Sequence, residues 1–335
     1  MKKVNVSAIF GIFSIALVGF TPHVSAKLKV VSSIKPIHSL VTAVMDGAGS
    51  SELLIEGASS PHAYAMRPSQ ARSLQNADVV FWIGPELEAF LVKPIATTAR
   101  NATSVPLMES DGLVKRHFRE DHGHHDHDHG KHEEDKHDHA KHDEHKHEEH
   151  KEDHTGHDHG AHGKDAIDPH IWLDPENAKA MTRAIADALS VADAANAAFY
   201  SKNAAALLGR IDQLSAELRD KLEPLHDKKF VVFHGAYQYF EARYGLESAG
   251  AITLNPEILP GAEHLREIKE KVASLGATCV FAEPQFKPKL VEVVIEGTTA
   301  KSGVLDPLGA NIASGPNQYF DLIETMATSM RDCLS

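Results

Sequence analysis

The stretch Phe230-Val231-Val232-Phe233-His234-Gly235-Ala236-Tyr237 decides the fold of this 335-residue chain. Its first four residues form an unbroken apolar, β-prone run, the signature of a buried strand, and the pattern predicts a helix over 236–244. The same order recurs on both sides. Downstream, the patterning predicts a helix over 262–275, a strand over 279–282, a helix over 287–301, a strand over 303–305 and a closing helix over 317–331. Upstream lie a strand over 28–33, a helix over 36–45, a buried strand over 78–83 and a helix over 86–97. Strands that alternate with helices form parallel sheets covered on both faces, so the expected fold class is α/β with two parallel-sheet lobes.

The lobes are joined by helical sequence. Residues 175–190 read as helix. Residues 192–222 carry Ala204, Leu207, Leu208, Ile211, Leu214, Leu218 and Leu222 three to four apart, which puts them on one stripe, and Pro224 ends the run. About thirty helical residues reach roughly 45 Å. Such a helix is either a spine along both lobes, limiting hinge motion, or a core helix of one of them. The division expected is an amino-terminal lobe over 27–190, a linking helix over 191–223 and a carboxyl-terminal lobe over 224–335.

Composition adds one anomaly. The chain holds 24 His and 47 Asp+Glu against 34 Lys+Arg, for a formal net charge of −13. A window over 120–165 alone contains 16 of those His, 16 Asp+Glu and six Lys, so it carries −10 of the −13. An acid excess argues against nucleic acid as partner, because phosphate binding needs Lys and Arg to release counterions. Inside the window, Lys131, Lys136, Lys141, Lys146 and Lys151 fall five apart. That step aligns neither a helix face nor a strand face, so the window is expected to be a disordered low-complexity loop when empty. His122, His124, His125, His127, His129, His132, His137 and His139 are candidate accessory metal ligands within it. Read blandly it is a solvated tether. Read functionally it gathers ions, raising their local concentration beside a tighter site.

The amino terminus suggests the compartment. Lys2 and Lys3 precede an apolar run over 8–20, and Val24-Ser25-Ala26 places small residues where a signal peptidase cuts, so 1–26 reads as a secretory signal. The run is too short to span a bilayer, which needs about 20 helical residues. The mature product is therefore expected outside the cytoplasm, where thiols oxidise, and Cys279 and Cys333 are expected to pair.

Eight histidines lie outside the window, and His23 falls in the signal. His62 sits in the loop Gly57-Ala58-Ser59-Ser60-Pro61-His62, and His170 in Asp168-Pro169-His170-Ile171-Trp172-Leu173-Asp174-Pro175. His234 follows a buried strand directly, as Glu283 and Asp306 follow theirs. In open α/β sheets ligands bind outside the carboxyl ends of strands, so these positions converge. Three neutral imidazoles with a carboxylate or water complete a tetrahedral zinc site. His38, His226 and His264 lack such context and read as structural or surface residues.

Taken together, Gly57-Ala58-Ser59 with Pro61-His62, Asp168 to Pro175, Phe233-His234-Gly235-Ala236-Tyr237, Phe281-Ala282-Glu283-Pro284-Gln285-Phe286 and Leu305-Asp306-Pro307-Leu308-Gly309 resemble the metal-binding solute-receptor family of bacterial ABC transporters, in its zinc branch. The resemblance implies two lobes bridged by a long rigid helix, with the ion between them and the metal positions at His62, His170, His234 and Asp306. Some zinc members carry an acidic residue just before the first histidine. Here Pro61 stands there, which leaves the fourth partner open between Asp306, Glu283 and water. The zinc branch also carries a His-rich acidic loop before its second ligand and often a carboxyl-lobe disulfide. The function implied is periplasmic capture of zinc, as a monomer, for a membrane permease driven by a cytoplasmic ATPase. Alternatives are a manganese or iron receptor, or a metal-buffering adhesin of the same fold. A zinc hydrolase is disfavoured, since the chain has no H-E-x-x-H, G-x-S-x-G or P-loop motif.

Overall fold

The computed structural model describes residues 27–119, 166–253, 256 and 259–335. The predicted signal and the His-rich window, with its accessory histidines, lie outside the described residues.

Two four-stranded, wholly parallel sheets organise the chain. The first contains β1 (Val30–Ser32), β2 (Ser51–Leu53), β3 (Val79–Trp82) and β4 (Thr103–Pro106), in the order β2-β1-β3-β4. The second contains β5 (Phe230–His234), β6 (Gly250–Thr253), β7 (Cys279–Ala282) and β8 (Lys301–Val304), in the equivalent order β6-β5-β7-β8. Each sheet reverses its winding between its two central strands, and such a switch point opens a crevice at the carboxyl ends of the strands. The helices in chain order are α1 (Lys35–Val44), α2 (Pro68–Gln75), α3 (Ala89–Thr97), α4 (Pro175–Ala192), α5 (Ala197–Leu222), α6 (Gln238–Arg243), α7 (Ala262–Ser274), α8 (Lys289–Ile295) and α9 (Gln318–Leu334).

Strand alternation decides which side chains face the neighbouring half. Phe230 and Val232 of β5, with Cys279 and Phe281 of β7, join a large core shared with α1, α4, α5, α9 and the first sheet. Val231, Phe233, Val280 and Ala282 point the other way, into a smaller core with Ile268 and Val272 of α7 and Val291 and Val294 of α8. His234 has the parity of Phe230 and Val232, so the two-residue period sends it toward the shared side.

The helix expected over 192–222 starts later. Asp193 departs from helical geometry (φ −140°, ψ 74°) and a 3₁₀ turn occupies Ala194–Asn196, leaving 26 residues in α5. The Asp193 carboxylate accepts from Asn196 Nδ2 at 2.7 Å and Tyr200 Oη at 2.9 Å, which stabilises the break. At 1.5 Å per residue α5 is still about 39 Å long. It packs against α4, against α1 beside the first sheet, and against α9 beside the second. Its stripe from Ala204 to Leu222, apart from the partly exposed Leu208, is buried in the shared core. Pulling the halves apart would expose that core to water, a cost proportional to area, which keeps hinge motion small.

A further expectation is corrected, and three strands are added. The helix predicted over 287–301 stops at Ile295, because Gly297 takes a left-handed φ of 73° and Lys301 already begins β8. The edge strands β2, β4 and β6 read SEL, TSVP and GAIT, too polar or too interrupted to show as apolar runs. Cys279 and Cys333 form a disulfide, with Cα atoms 6.0 Å apart across 54 residues, tying β7 to the end of α9. Closing a loop of that length is worth up to about 4 kcal/mol in the chain-entropy description. Among the described residues no helix is long and apolar enough to cross a membrane.

Candidate metal centre

Each of the three histidines is delivered by a different kind of local structure. His62 lies in the loop between β2 and α2 and is half-buried. His170 heads the 3₁₀ turn Ile171–Leu173 and is 2% exposed. That turn runs into α4, whose start is well specified: Asp174 caps it by accepting from the Glu176 N–H at 2.9 Å, and Pro175 fills the first helical position. Arg243 of α6 grips the same Asp174 through two bonds of 2.7 Å, fastening the His170 segment to the second sheet's helices. His234 closes β5 and is 3% exposed.

The ring nitrogens converge. His62 Nε2 lies 3.2 Å from His170 Nε2, and His234 Nε2 lies 3.3 Å from the same atom. All three potential ligand atoms fall within 4.8 Å of one another, a group able to hold a metal ion. On its other side, His170 Nδ1 stands 2.6 Å from Asp168 Oδ1, and His234 Nδ1 stands 2.6 Å from Glu283 Oε1. A carboxylate can only accept, so each Nδ1 carries a proton, and in the neutral ring this leaves Nε2 as the metal-binding nitrogen. Lone pairs 3.3 Å apart repel one another unless a cation lies between them. A tetrahedral zinc bound at 2.0–2.1 Å sets its nitrogens about 3.3–3.4 Å apart, close to the 3.2 and 3.3 Å that separate His170 Nε2 from its two neighbours.

The orienting acids are themselves held. Asp168 accepts from the His170 N–H at 2.9 Å and from Gln238 Nε2 at 2.6 Å, and its carbonyl accepts from Tyr239 Oη at 2.9 Å. Glu283 follows β7, whose pairing with β5 brings it beside His234. The space at the cluster is about 10 Å³, walled by Pro61, Trp172, Gln285, Phe286, Pro307 and Leu308. That is room for one water-sized particle.

The remaining sequence candidates lie around this centre. Glu283 engages His234 Nδ1 through Oε1 and also lines the cavity, where its buried Oε2 has no hydrogen-bond partner among the described residues. Asp306 is not in the ligand group found among the described residues, and both its oxygens accept N–H donors. His38 bonds the Ser51 carbonyl at 3.2 Å, His226 packs under Gly245, and His264 lies on α7 near Glu267. Sequence reading missed the roles of Asp168 and Gln238. Asp168 had a visible signal, an acid two residues before a ligand in Asp168-Pro169-His170.

Two parallel α/β halves with a tri-imidazole cluster at the carboxyl ends of their strands define a two-lobed metal-binding protein. The family described as ZnuA, zinc-uptake complex component A, periplasmic, matches residues 30–333, and the chain belongs to it. The high-affinity zinc uptake system protein ZnuA of Brucella suis biovar 1 (strain 1330) is 52% identical over 306 residues, 91% of each chain. Among solved structures, one titled "Crystal structure of ZnuA" superposes with a TM-score of 0.72 at 23% identity, covering 92% of this chain and 100% of that one. A mutant of the laminin-binding adhesin Lmb from Streptococcus agalactiae superposes with a TM-score of 0.71 at 22% identity, covering 92% and 100%.

Proposed function

We propose that this protein is a periplasmic receptor that captures zinc at His62, His170 and His234 and delivers it to the permease of an ABC importer driven by a cytoplasmic ATPase. The observation that carries this reading is the convergence of three imidazole rings, with His170 Nε2 at 3.2 and 3.3 Å from the Nε2 atoms of His62 and His234. Imidazole donors suit zinc, whereas carboxylates and carbonyls suit manganese and other harder cations. His170 and His234 are buried and oriented by acids, so they form the prepared half of the site. His62, half-buried on its loop, completes it, and water takes the fourth position. Glu283 acts as the orienter of His234.

The long α5 and the shared core keep closure around the ion small. Release then requires docking on the permease to distort the site, because a closed tetrahedral zinc site opens slowly by itself. The His-rich window supplies weak sites that feed the tight one. The receptor works as a monomer, and its role is to bind the ion rather than to transform a substrate.

The test is zinc-limited growth combined with zinc titration against a competing chelator. His234→Ala is expected to abolish both growth and tight binding. Tight binding that persists in His234→Ala would refute the assignment, and zinc-dependent hydrolysis above that of free zinc would favour an enzyme.

A further inference from the structure

Asp306 opens a turn directly after Leu305, and its carboxylate is saturated. Oδ1 accepts from Gln285 Nε2 at 2.8 Å, from the Leu308 N–H at 3.1 Å and from the Gly309 N–H at 3.0 Å, while Oδ2 accepts from the Ala310 N–H at 2.6 Å. The carbonyls of the same turn are gathered by a residue from the other half of the molecule. Lys35, at the start of α1, donates from Nζ to the carbonyls of Gly309 at 2.9 Å, Ala310 at 2.9 Å and Ile312 at 2.7 Å. Lys35 is only 7% exposed. Burial pushes its ammonium down from the ordinary lysine value, and the charges of Asp306 and Glu56 oppose that shift.

The turn has little freedom. Gly309 sits at a φ of +68°, and a Cβ there would collide with the Gln318 amide, which itself donates to the Leu308 carbonyl at 3.0 Å. The turn is also a wall of the metal centre: Pro307 and Leu308 line the cavity, and Trp172 Nε1 donates to the Pro307 carbonyl at 2.8 Å. Gln285 lines the cavity too, so Asp306 stands one hydrogen bond behind it.

We propose that Lys35 is a specificity-determining residue that acts through the turn 306–312: by holding its carbonyls, it keeps the Asp306 carboxylate wrapped in backbone N–H groups and out of the ion's coordination shell. The inference rests on the zinc-receptor reading above. With Asp306 engaged, the ion meets three imidazoles and water, a donor set that suits zinc. Without Lys35, three carbonyls lose their donor and Asp306 loses the buried cation that balances it. The bound metal, on the far side of Gln285, then offers the carboxylate a cation, and a carboxylate entering its shell favours manganese. Lys35 touches neither ion nor ligand, so it is a positioning residue.

The experiment compares Zn²⁺ and Mn²⁺ dissociation constants for the full mature chain and its Lys35→Met, Lys35→Arg and Lys35→Met/Asp306→Asn variants, with visible spectra of the Co²⁺ forms. Lys35→Met is expected to lower the preference for zinc over manganese about tenfold, the scale of changes behind the ligand shell, and to shift the Co²⁺ spectrum. Lys35→Arg should retain most of the preference. The double variant, which offers no carboxylate, should restore it. A preference unchanged in Lys35→Met, or still lost in the double variant, overturns the inference. Should Lys35→Met fail to fold, Gln285→Leu, which removes one donor from Asp306, is expected to move the preference in the same direction, and no movement there overturns the inference equally. Failure of the wild-type chain to bind zinc at the three histidines would instead refute the proposed function.

Discussion

His234 Nδ1 stands 2.6 Å from Glu283 Oε1, with both residues almost wholly buried. The contact joins the ends of two neighbouring parallel strands and fixes which nitrogen of the ring faces the ion. Substituting Glu283→Gln keeps an acceptor in place but removes its charge, so the ring becomes a weaker base. Zinc affinity should fall about 10–100-fold, as for other orienters of ligand histidines. Asp168→Asn should act alike on His170. Competition titration checks both, with near-UV circular dichroism showing that the fold is retained.

Glu88 provides a prediction away from the ion. It is fully buried, accepting from the Ser33 hydroxyl at 2.5 Å and from the Gly84 N–H at 3.0 Å. Burial pushes its carboxyl up from 4.5 to about 7. Between those two values the folded chain binds more protons than the unfolded one, so this group's contribution to stability is full below pH 4.5 and declines until pH 7. The decline amounts to at most about 3 kcal/mol. Urea unfolding of wild type and Glu88→Gln at pH 5 and pH 8 should show the variant gaining relative stability at the higher pH. A difference independent of pH would contradict this.

The His-rich window is flanked by a closed stem: His117 pairs with Ile167 in an antiparallel bridge, and the Phe118 N–H donates to the Ala166 carbonyl at 3.1 Å. Deleting residues 121–162 therefore leaves its base intact. The deletion should remove several weak zinc equivalents and preserve one tight site. Loss of the tight site would mean that the window supplies a primary ligand. The weak sites should also fade below pH 6.5, where unperturbed imidazoles protonate.

These outcomes depend on features that differ in how visible they are along the chain. The central strands β5 and β7 were legible because they are buried on both faces and therefore apolar throughout. The edge strands β2, β4 and β6 were not, since one side of an edge strand needs no partner and tolerates Ser, Glu and Thr. His234 was legible from its place directly after a strand, and His170 from the motif around it. The break at Asp193 was hidden because the apolar stripe of α5 starts only after it. Lys35 was invisible for a different reason: its acceptors lie 274 to 277 residues away, and only folding brings them together.

The central claim is that one zinc ion sits among His62, His170 and His234. Anomalous diffraction at the zinc edge from crystals of residues 27–335 loaded with one zinc equivalent tests it most directly. The account predicts a single strong peak about 2.0–2.1 Å from Nε2 of each of the three rings, with the Asp306 carboxylate still turned into its loop. A peak elsewhere, or none at these histidines, would contradict it.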